Sequence, residues 1–473
     1  MFAAFSALSA RGRGAARLAA ATLASGLAAA TVLAGTAAAA PAADTAAPSQ
    51  GGATATIGGL KTYGGAVVHT DSGDQEISAG LFEMSVDGGG MLQTYCVDIH
   101  NPTQRDAKYH ETPWSGTSLG ANEDAGRIRW ILQNSYPQVN DLAALAAKAG
   151  FKGGLTEQDA AAGTQVAIWR YSDGVEVDAV DPQAEKLADY LEKSARGVAE
   201  PEASLTLEPP AVSGHAGERL GPVTVRTDAD GVTLTPPADA ATSGVRIVDK
   251  DGKVVTTAVN GAQVFFDVPE DAADGQAELT VQASTTVPVG RAFAAESRSQ
   301  TQILAGSSES TVSATASATW AESGAIPALS ASENCDKGGV DITAANEGDA
   351  PFTFELLGIE YSIAAGESRT VTVPLQEDQA YDFTIQGPGF EKRFTGVLDC
   401  MTQAGEAEAA GTVTQTLDEP SPATVGSASD DTNLAATGGS SMTPLIAGVA
   451  IGFVVLGGAA LVIVRKREAS AQD

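Results

Sequence analysis

The sequence predicts a multidomain chain: one α+β domain, then two all-β sandwich domains, flanked by a signal peptide and a C-terminal transmembrane helix. Three observations carry this. Hydrophobic patterning changes near residue 200 from mixed strand and helix periods to short alternating runs only. An uncharged apolar stretch lies near each end, beside basic residues. The 473 residues hold only 5% aromatics but 52 glycines, which is lean for one large core and normal for small β-domains joined by linkers.

The N-terminal 39 residues read as an export signal. Arg11, Arg13 and Arg17 precede the Ala/Leu/Val run Leu18–Leu33, and small residues follow. Residues 40–54 are Ala, Pro, Ser, Gly and Thr and read as a flexible leader. At the other end, Leu434-Ala435-Ala436-Thr437-Gly438 precedes the 20 uncharged residues 445–464, enough to span a bilayer, and a tail, 465–473, that opens Arg465-Lys466-Arg467. This order resembles the cell-wall sorting signal of Gram-positive surface proteins, in the Leu-Ala-x-Thr-Gly form used by a sortase class of high-GC actinobacteria. The resemblance implies cleavage between Thr437 and Gly438 and amide transfer of Thr437 to peptidoglycan. The expected partners are therefore a sortase, peptidoglycan and, before sorting, the membrane. The expected location is the cell surface, with the C-terminus fixed to the wall.

Between these addresses, residues 55–200 begin with strand-like runs at Ala66–His69, Gly80–Val86 and Met91–Ile99. Helical patterns follow at Asn122–Asn134, Asp141–Ala149, Thr156–Tyr171 and Pro182–Ala195, the third opened by Thr156 and Asp159 at capping-box spacing. Residues 201–325 show recurrent alternation, as in Val223–Arg226, Val245–Val248 and Glu278–Val281. Their only lysines, Lys250 and Lys253, share one turn, so no Lys–Asn or Lys–Asp isopeptide bond between strands is expected there. Residues 330–401 form a smaller strand unit, with Cys335 just before its first run and Cys400 just after its last. Residues 402–433 lack apolar periodicity and read as a disordered linker.

The full chain carries 28 basic and 59 acidic residues. Trimmed to 40–437 it carries 22 and 57, a net charge of −35. That excludes a phosphate-binding surface of the kind nucleic acid needs. No metal site is expected, because no His pair has helical ligand spacing, and no cofactor is expected either.

Three cysteines are an odd number for an exported chain. A unit of about 70 residues has little core, and a disulfide closing it contributes roughly 4 kcal/mol by chain entropy, so Cys335 is paired with Cys400. Cys96 is left over. It admits four readings: an inert buried thiol, an intermolecular disulfide, a catalytic nucleophile, or a thiol masked by an internal acyl bond. His100 and Asp98 invite a Cys–His–Asp reading, but Asn101-Pro102 ends the strand near them. Gln165 shares a helix face with Ala161, Ala162, Ile168 and Trp169, so its amide enters the core and needs partners there.

Tyr95-Cys96-Val97 and Thr164-Gln165-Val166-Ala167-Ile168-Trp169, 69 residues apart from cysteine to glutamine, resemble the two motifs of the thioester domain of Gram-positive surface adhesins. The resemblance covers residues 55–200 and implies a Cys96–Gln165 thioester. It also implies shielding of that bond from water, for which Tyr95, Trp114, Trp130 and Trp169 are the aromatic candidates. By analogy with such adhesins, the two β units are immunoglobulin-like stalk domains. The implied function is covalent capture of an amine-bearing surface ligand, a protein lysine for instance, in one amide-forming event and without enzymatic turnover. Two rivals stand beside it: an enzyme with Cys96 as nucleophile, and a noncovalent binding or structural wall protein with an inert Cys96.

Overall fold

The computed structural model describes residues 51–401 except 153, 388 and 389, together with short backbone stretches at 45–46, 412–413 and 426–427. The expected signal peptide, most of the leader and of the linker, the Leu434–Gly438 motif, the span 445–464 and the tail lie outside the described residues. Among the described residues no helix is long and apolar enough to cross a membrane.

The first unit is built on a sheet. β1 (Thr54–Thr70) and β2 (Gly73–Val86) form a long antiparallel hairpin. Gly88, Gly89 and Gly90, all at positive φ, turn the chain into β3 (Met91–Cys96). Gly90 also lies against Ser310, where a Cβ would come within 2.6 Å of its main chain. β4 (Lys108–Thr112) pairs with the start of β1.

Helices cover this sheet. α1 (Ala125–Asn134) packs on α2 (Glu157–Ser172). The expected capping box opens α2: Thr156 Oγ1 accepts from Asp159 N at 3.1 Å, and Asp159 Oδ2 accepts from Thr156 N at 3.0 Å. After β5 (Val177–Ala179), α3 (Pro182–Ser194) lies on α2, close enough that Gly163 has no room for a side chain beside Ala184.

The sheet is completed from far along the chain. β6 (Leu205–Glu208), β7 (Ala211–His215), β8 (Arg219–Thr227), β9 (Val232–Thr235), β10 (Arg246–Asp249), β11 (Thr257–Ala258), β12 (Gln263–Asp267) and β13 (Gly275–Thr286) run through the second unit. The chain then returns to the first sheet as β14 (Ala292–Ala295) and β15 (Gln302–Ser307), before β16 (Glu309–Ala321) rejoins the second unit. The first sheet has the order β2-β3-β15-β14-β4-β1-β5, and the β1–β2 pairing closes six of these strands into a ring. The second unit has a five-stranded sheet, β11-β9-β13-β16-β7, and a four-stranded sheet, β10-β12-β8-β6.

The boundaries 55–200 and 201–325 are therefore corrected. Residues 292–307 belong to the first sheet, and the second unit is an insertion within the first. One hydrophobic core runs through both, from Ala53 to Trp320. Alternation alone shows that β14 and β15 are strands but not which sheet they join. Arg291 locks the return. Its Nε donates to Glu111 Oε1 at 2.9 Å and its Nη1 to Glu200 Oε1 at 2.8 Å, with Arg291 and Glu111 both buried.

The third unit has its own core around Ile342, Phe352 and Ile385. Its strands are β17 (Pro327–Asn334), β18 (Gly339–Asn346), β19 (Phe352–Leu356), β20 (Ile359–Ile363), β21 (Glu367–Pro374), β22 (Ala380–Gly387) and β23 (Phe390–Val397). They make a three-stranded sheet, β17-β18-β21, and the hairpins β19–β20 and β22–β23. Cys335 and Cys400 form a disulfide with Cα atoms 5.1 Å apart.

Candidate functional site

Cys96 is the last residue of β3, a free and fully buried thiol. Alternating patterning ends there because Asp98 makes an Asx-type turn. Its Oδ1 accepts from the N–H groups of His100 at 3.0 Å and Asn101 at 3.3 Å.

α2 carries Gln165 onto this strand end, as its helix face predicts. Its Oε1 accepts from Cys96 N at 3.0 Å, and its Nε2 donates to Cys96 O at 2.8 Å. The buried amide thus finds both partners on one residue's main chain. This corrects the expected pairing: with both amide ends committed to the Cys96 backbone, Gln165 is a clamp on the cysteine and not the group at its sulfur.

A different glutamine meets the sulfur. Gln300 lies in the segment between β14 and β15, is fully buried, and its side-chain amide contacts Cys96 Sγ. Its amide is satisfied at both ends when the nitrogen donates to Asp98 O at 2.9 Å and the oxygen accepts from the Thr103 hydroxyl and, at 3.3 Å, from Thr103 N. The amide nitrogen then lies on the sulfur side, while the carbonyl oxygen rests on two donors, the arrangement that stabilises a tetrahedral oxyanion. The backbone of this segment is tied down as well. Val97 N donates to Thr301 O at 3.1 Å, and the Tyr109 hydroxyl donates to Gln300 O at 3.0 Å. Gln302, directly across from Cys96 in the β3–β15 register, is instead held by Thr94, whose hydroxyl donates to its Oε1 at 2.9 Å.

Nothing in a local reading separates Gln300 from a stalk residue. The one available sign is Ser299-Gln300-Thr301-Gln302 before Ile303-Leu304, a polar quartet with two amides leading into an apolar strand.

Of the four candidate aromatic shields, only Trp169 stands at the sulfur. It is fully buried, its indole N–H has no other acceptor, and its nearness lowers the thiol pKa. The other three have polar or cationic partners elsewhere. Tyr95 donates to Tyr136 O at 2.9 Å, Trp114 Nε1 donates to Gly290 O at 2.8 Å, and Trp130 stacks under Arg196. Tyr109 lies beside Gln300. His100 is half-buried, and burial lowers its pKa; its hydrogen bond to Asp98 runs through its backbone N–H and not its ring.

The electrostatics oppose a free thiolate. Burial raises the Cys96 pKa well above the ordinary range, and the Asp173 and Asp98 carboxyls add to the rise. Both aspartates are themselves raised, chiefly by burial and, for Asp98, by the neighbouring Asp173. A nucleophilic enzyme needs the reverse, a thiol whose pKa is lowered. A sulfur held in an uncharged acyl bond suits these surroundings. As to metals, Glu377, Asp378 and Asp399 have carboxylate oxygens within 4.8 Å of one another, at the edge of the third unit.

Residues 93–197 match the thioester domain family, which places Cys96 and Gln165 inside the match and Gln300 outside it. The similarity to that family is confined to this stretch of the 473-residue chain. Residues 323–397 match the C-terminal domain of bacterial phospholipase C. Among solved structures, the Bacillus anthracis TIE protein is similar at 16% identity and a TM-score of 0.26, over 73% of this chain and 63% of its own. This chain thus spans less than two thirds of that protein. The thioester domain of the Enterococcus faecium TIE86 protein is similar at 15% identity and a TM-score of 0.27, over 60% of this chain and 100% of its own. At such scores these likenesses carry no weight for fold or function. No curated protein matches.

Proposed function

We propose that this chain is a surface-displayed, wall-anchored adhesin that captures an amine-bearing partner through an internal thioester between Cys96 and Gln300. The observation that carries it is the division of labour between two glutamines: Gln165 grips the Cys96 main chain, while the Gln300 amide meets the sulfur.

Bond formation balances without a cofactor. The Cys96 sulfur attacks Gln300 Cδ, the Thr103 donors hold the carbonyl oxygen, and the thiol proton leaves with the amide nitrogen as ammonia. Holding the reacting atoms together supplies roughly 7–11 kcal/mol toward such a step. A partner amine, such as a lysine, then attacks the same carbon. An amide forms at Gln300, and the sulfur leaves as a thiol by taking the proton that the amine gives up. The raised thiol pKa favours that protonated product. One chain captures one partner, so the event is not enzymatic turnover.

Display at the surface rests on the N-terminal export pattern and on the Leu434–Gly438 motif with its span and basic tail, with a sortase and peptidoglycan as the anchoring partners. The negative charge argues against nucleic acid as a ligand.

Intact-mass measurement on fresh native protein tests the bond. The expected result is a deficit of one ammonia that disappears in Cys96→Ala and Gln300→Ala. Methylamine should restore mass at Gln300 and free one thiol. Methylamine found on Gln165, with Gln300 unmodified, would overturn the assignment. Full mass in the native protein would overturn the function.

A further inference from the structure

The Gln300 segment is held from two sides, and the second side belongs to the third unit. From the ring come Tyr109 and Val97, as described. From the third unit comes Asp399, whose Oδ2 accepts from the Thr301 hydroxyl at 2.9 Å. Thr301 is fully buried and adjoins the reacting glutamine. Two residues before Gln300, Arg298 Nε donates to Asp378 O at 2.9 Å, a second tie between the same two segments.

Asp399 is itself fixed in place. Cys400, its chain neighbour, is bonded to Cys335. Glu377 Oε1 accepts from the N–H groups of Cys400 and Met401, each at 2.8 Å. Asp378 N donates to Leu398 O at 2.9 Å. The Asp399 carboxyl group therefore stands on a short, cross-braced stretch of chain next to a disulfide. Removing it leaves a buried Thr301 hydroxyl without an acceptor, one residue from the amide that must meet sulfur in line. Misplacement of about 1 Å at such a centre costs on the order of 100-fold in rate.

We propose that Asp399 is a positioning residue for the thioester, acting through Thr301 on Gln300, so that the disulfide-closed third unit completes the reactive site as well as extending the chain. This deepens the Cys96–Gln300 reading and rests on it. The third unit needs no part in the chemistry: Asp399 sets where the Gln300 carbon lies when the bond forms and when an amine attacks it.

The test uses the chain spanning residues 40–437, with the disulfide intact. Two quantities are read for each variant: the fraction lacking one ammonia after purification, and the rate of methylamine incorporation at Gln300. Asp399→Leu should lower at least one of them by about tenfold or more. Asp399→Asn keeps an acceptor for the Thr301 hydroxyl and should stay within about threefold of wild type, whereas a merely space-filling role predicts that Asp399→Leu, of similar size, is tolerated as well. Thr301→Val removes the donor alone and should match Asp399→Leu, and the double variant should be no worse than either single one. If Asp399→Leu fails to fold, Thr301→Val decides. Wild-type values in Thr301→Val or in folded Asp399→Leu overturn the proposal while leaving the thioester in place. Absence of the ammonia deficit in the wild-type chain overturns the underlying reading itself.

Discussion

Gln165 and Cys96 are joined as one amide facing one peptide: side-chain oxygen to backbone nitrogen at 3.0 Å, side-chain nitrogen to backbone oxygen at 2.8 Å. The pair fixes the strand end that carries the sulfur from 69 positions away in the chain. Replacing Gln165 with Ala leaves a buried N–H and C=O unpaired, at about 1–3 kcal/mol for each orphaned group. Chemical denaturation should show that loss, and the ammonia-deficient fraction should fall because the sulfur is no longer held. Gln165→Glu, which keeps an acceptor for Cys96 N but offers the carbonyl no amide donor, should fall between.

The carboxyls near the site predict an unusual pH profile. Burial raises Asp98 and Asp173 above the ordinary carboxyl range, and it pushes Glu333 of the third unit up to about 8. A group whose folded-state pKa is raised binds its proton more tightly in the folded state. The stability it contributes is therefore fully present below an unfolded pKa near 4 and is lost as pH rises through the folded value. Melting temperature should decline between about pH 4 and pH 8, and Asp173→Asn should flatten the decline. A melting temperature that rises over that window would contradict this.

The disulfide and the two cores predict separable melting. The Cys335–Cys400 link spans 65 positions, and its reduction should cost about 4 kcal/mol by chain entropy. The third unit's core, around Ile342 and Phe352, is distinct from the one shared by the ring and the inserted two-sheet unit. Calorimetry with a reductant should lower one transition and leave the larger one nearly in place.

Arg291 ties the returning chain to the ring through Glu111, with relative side-chain exposures of 5% and 0%. Arg291→Met strands a buried carboxylate, and cases of this kind cost about 3–5 kcal/mol. The double variant Arg291→Met, Glu111→Gln should recover a large part of that loss in the same denaturation experiment.

Much of the molecule follows from local pattern. Thr156 and Asp159 cap α2 as their spacing requires, and the apolar face of that helix does bury Gln165. Cys335 and Cys400 are joined as expected, although Cys335 follows the unit's first strand, β17, and does not precede it. Tyr95, Trp114 and Trp130 show where local pattern stops: their burial is legible, but the partner each finds is not. The strand periods of β14 and β15 are equally plain, yet their sheet is not, since alternation carries no information about which distant edge a strand completes.

By itself the sequence determined that Cys96 is the odd cysteine, that it lies in a strand, and that a buried glutamine on a helix must have partners. Those properties are local, set by composition, capping and the 2.0 and 3.6 residue periods. Only the tertiary structure decided which glutamine meets the sulfur. Gln300 lies 204 residues from Cys96, beyond an inserted two-sheet unit, and reaches it because β15 pairs with β3 and a buried arginine pins the return. Contacts of that range are fixed by the packing of the whole sheet.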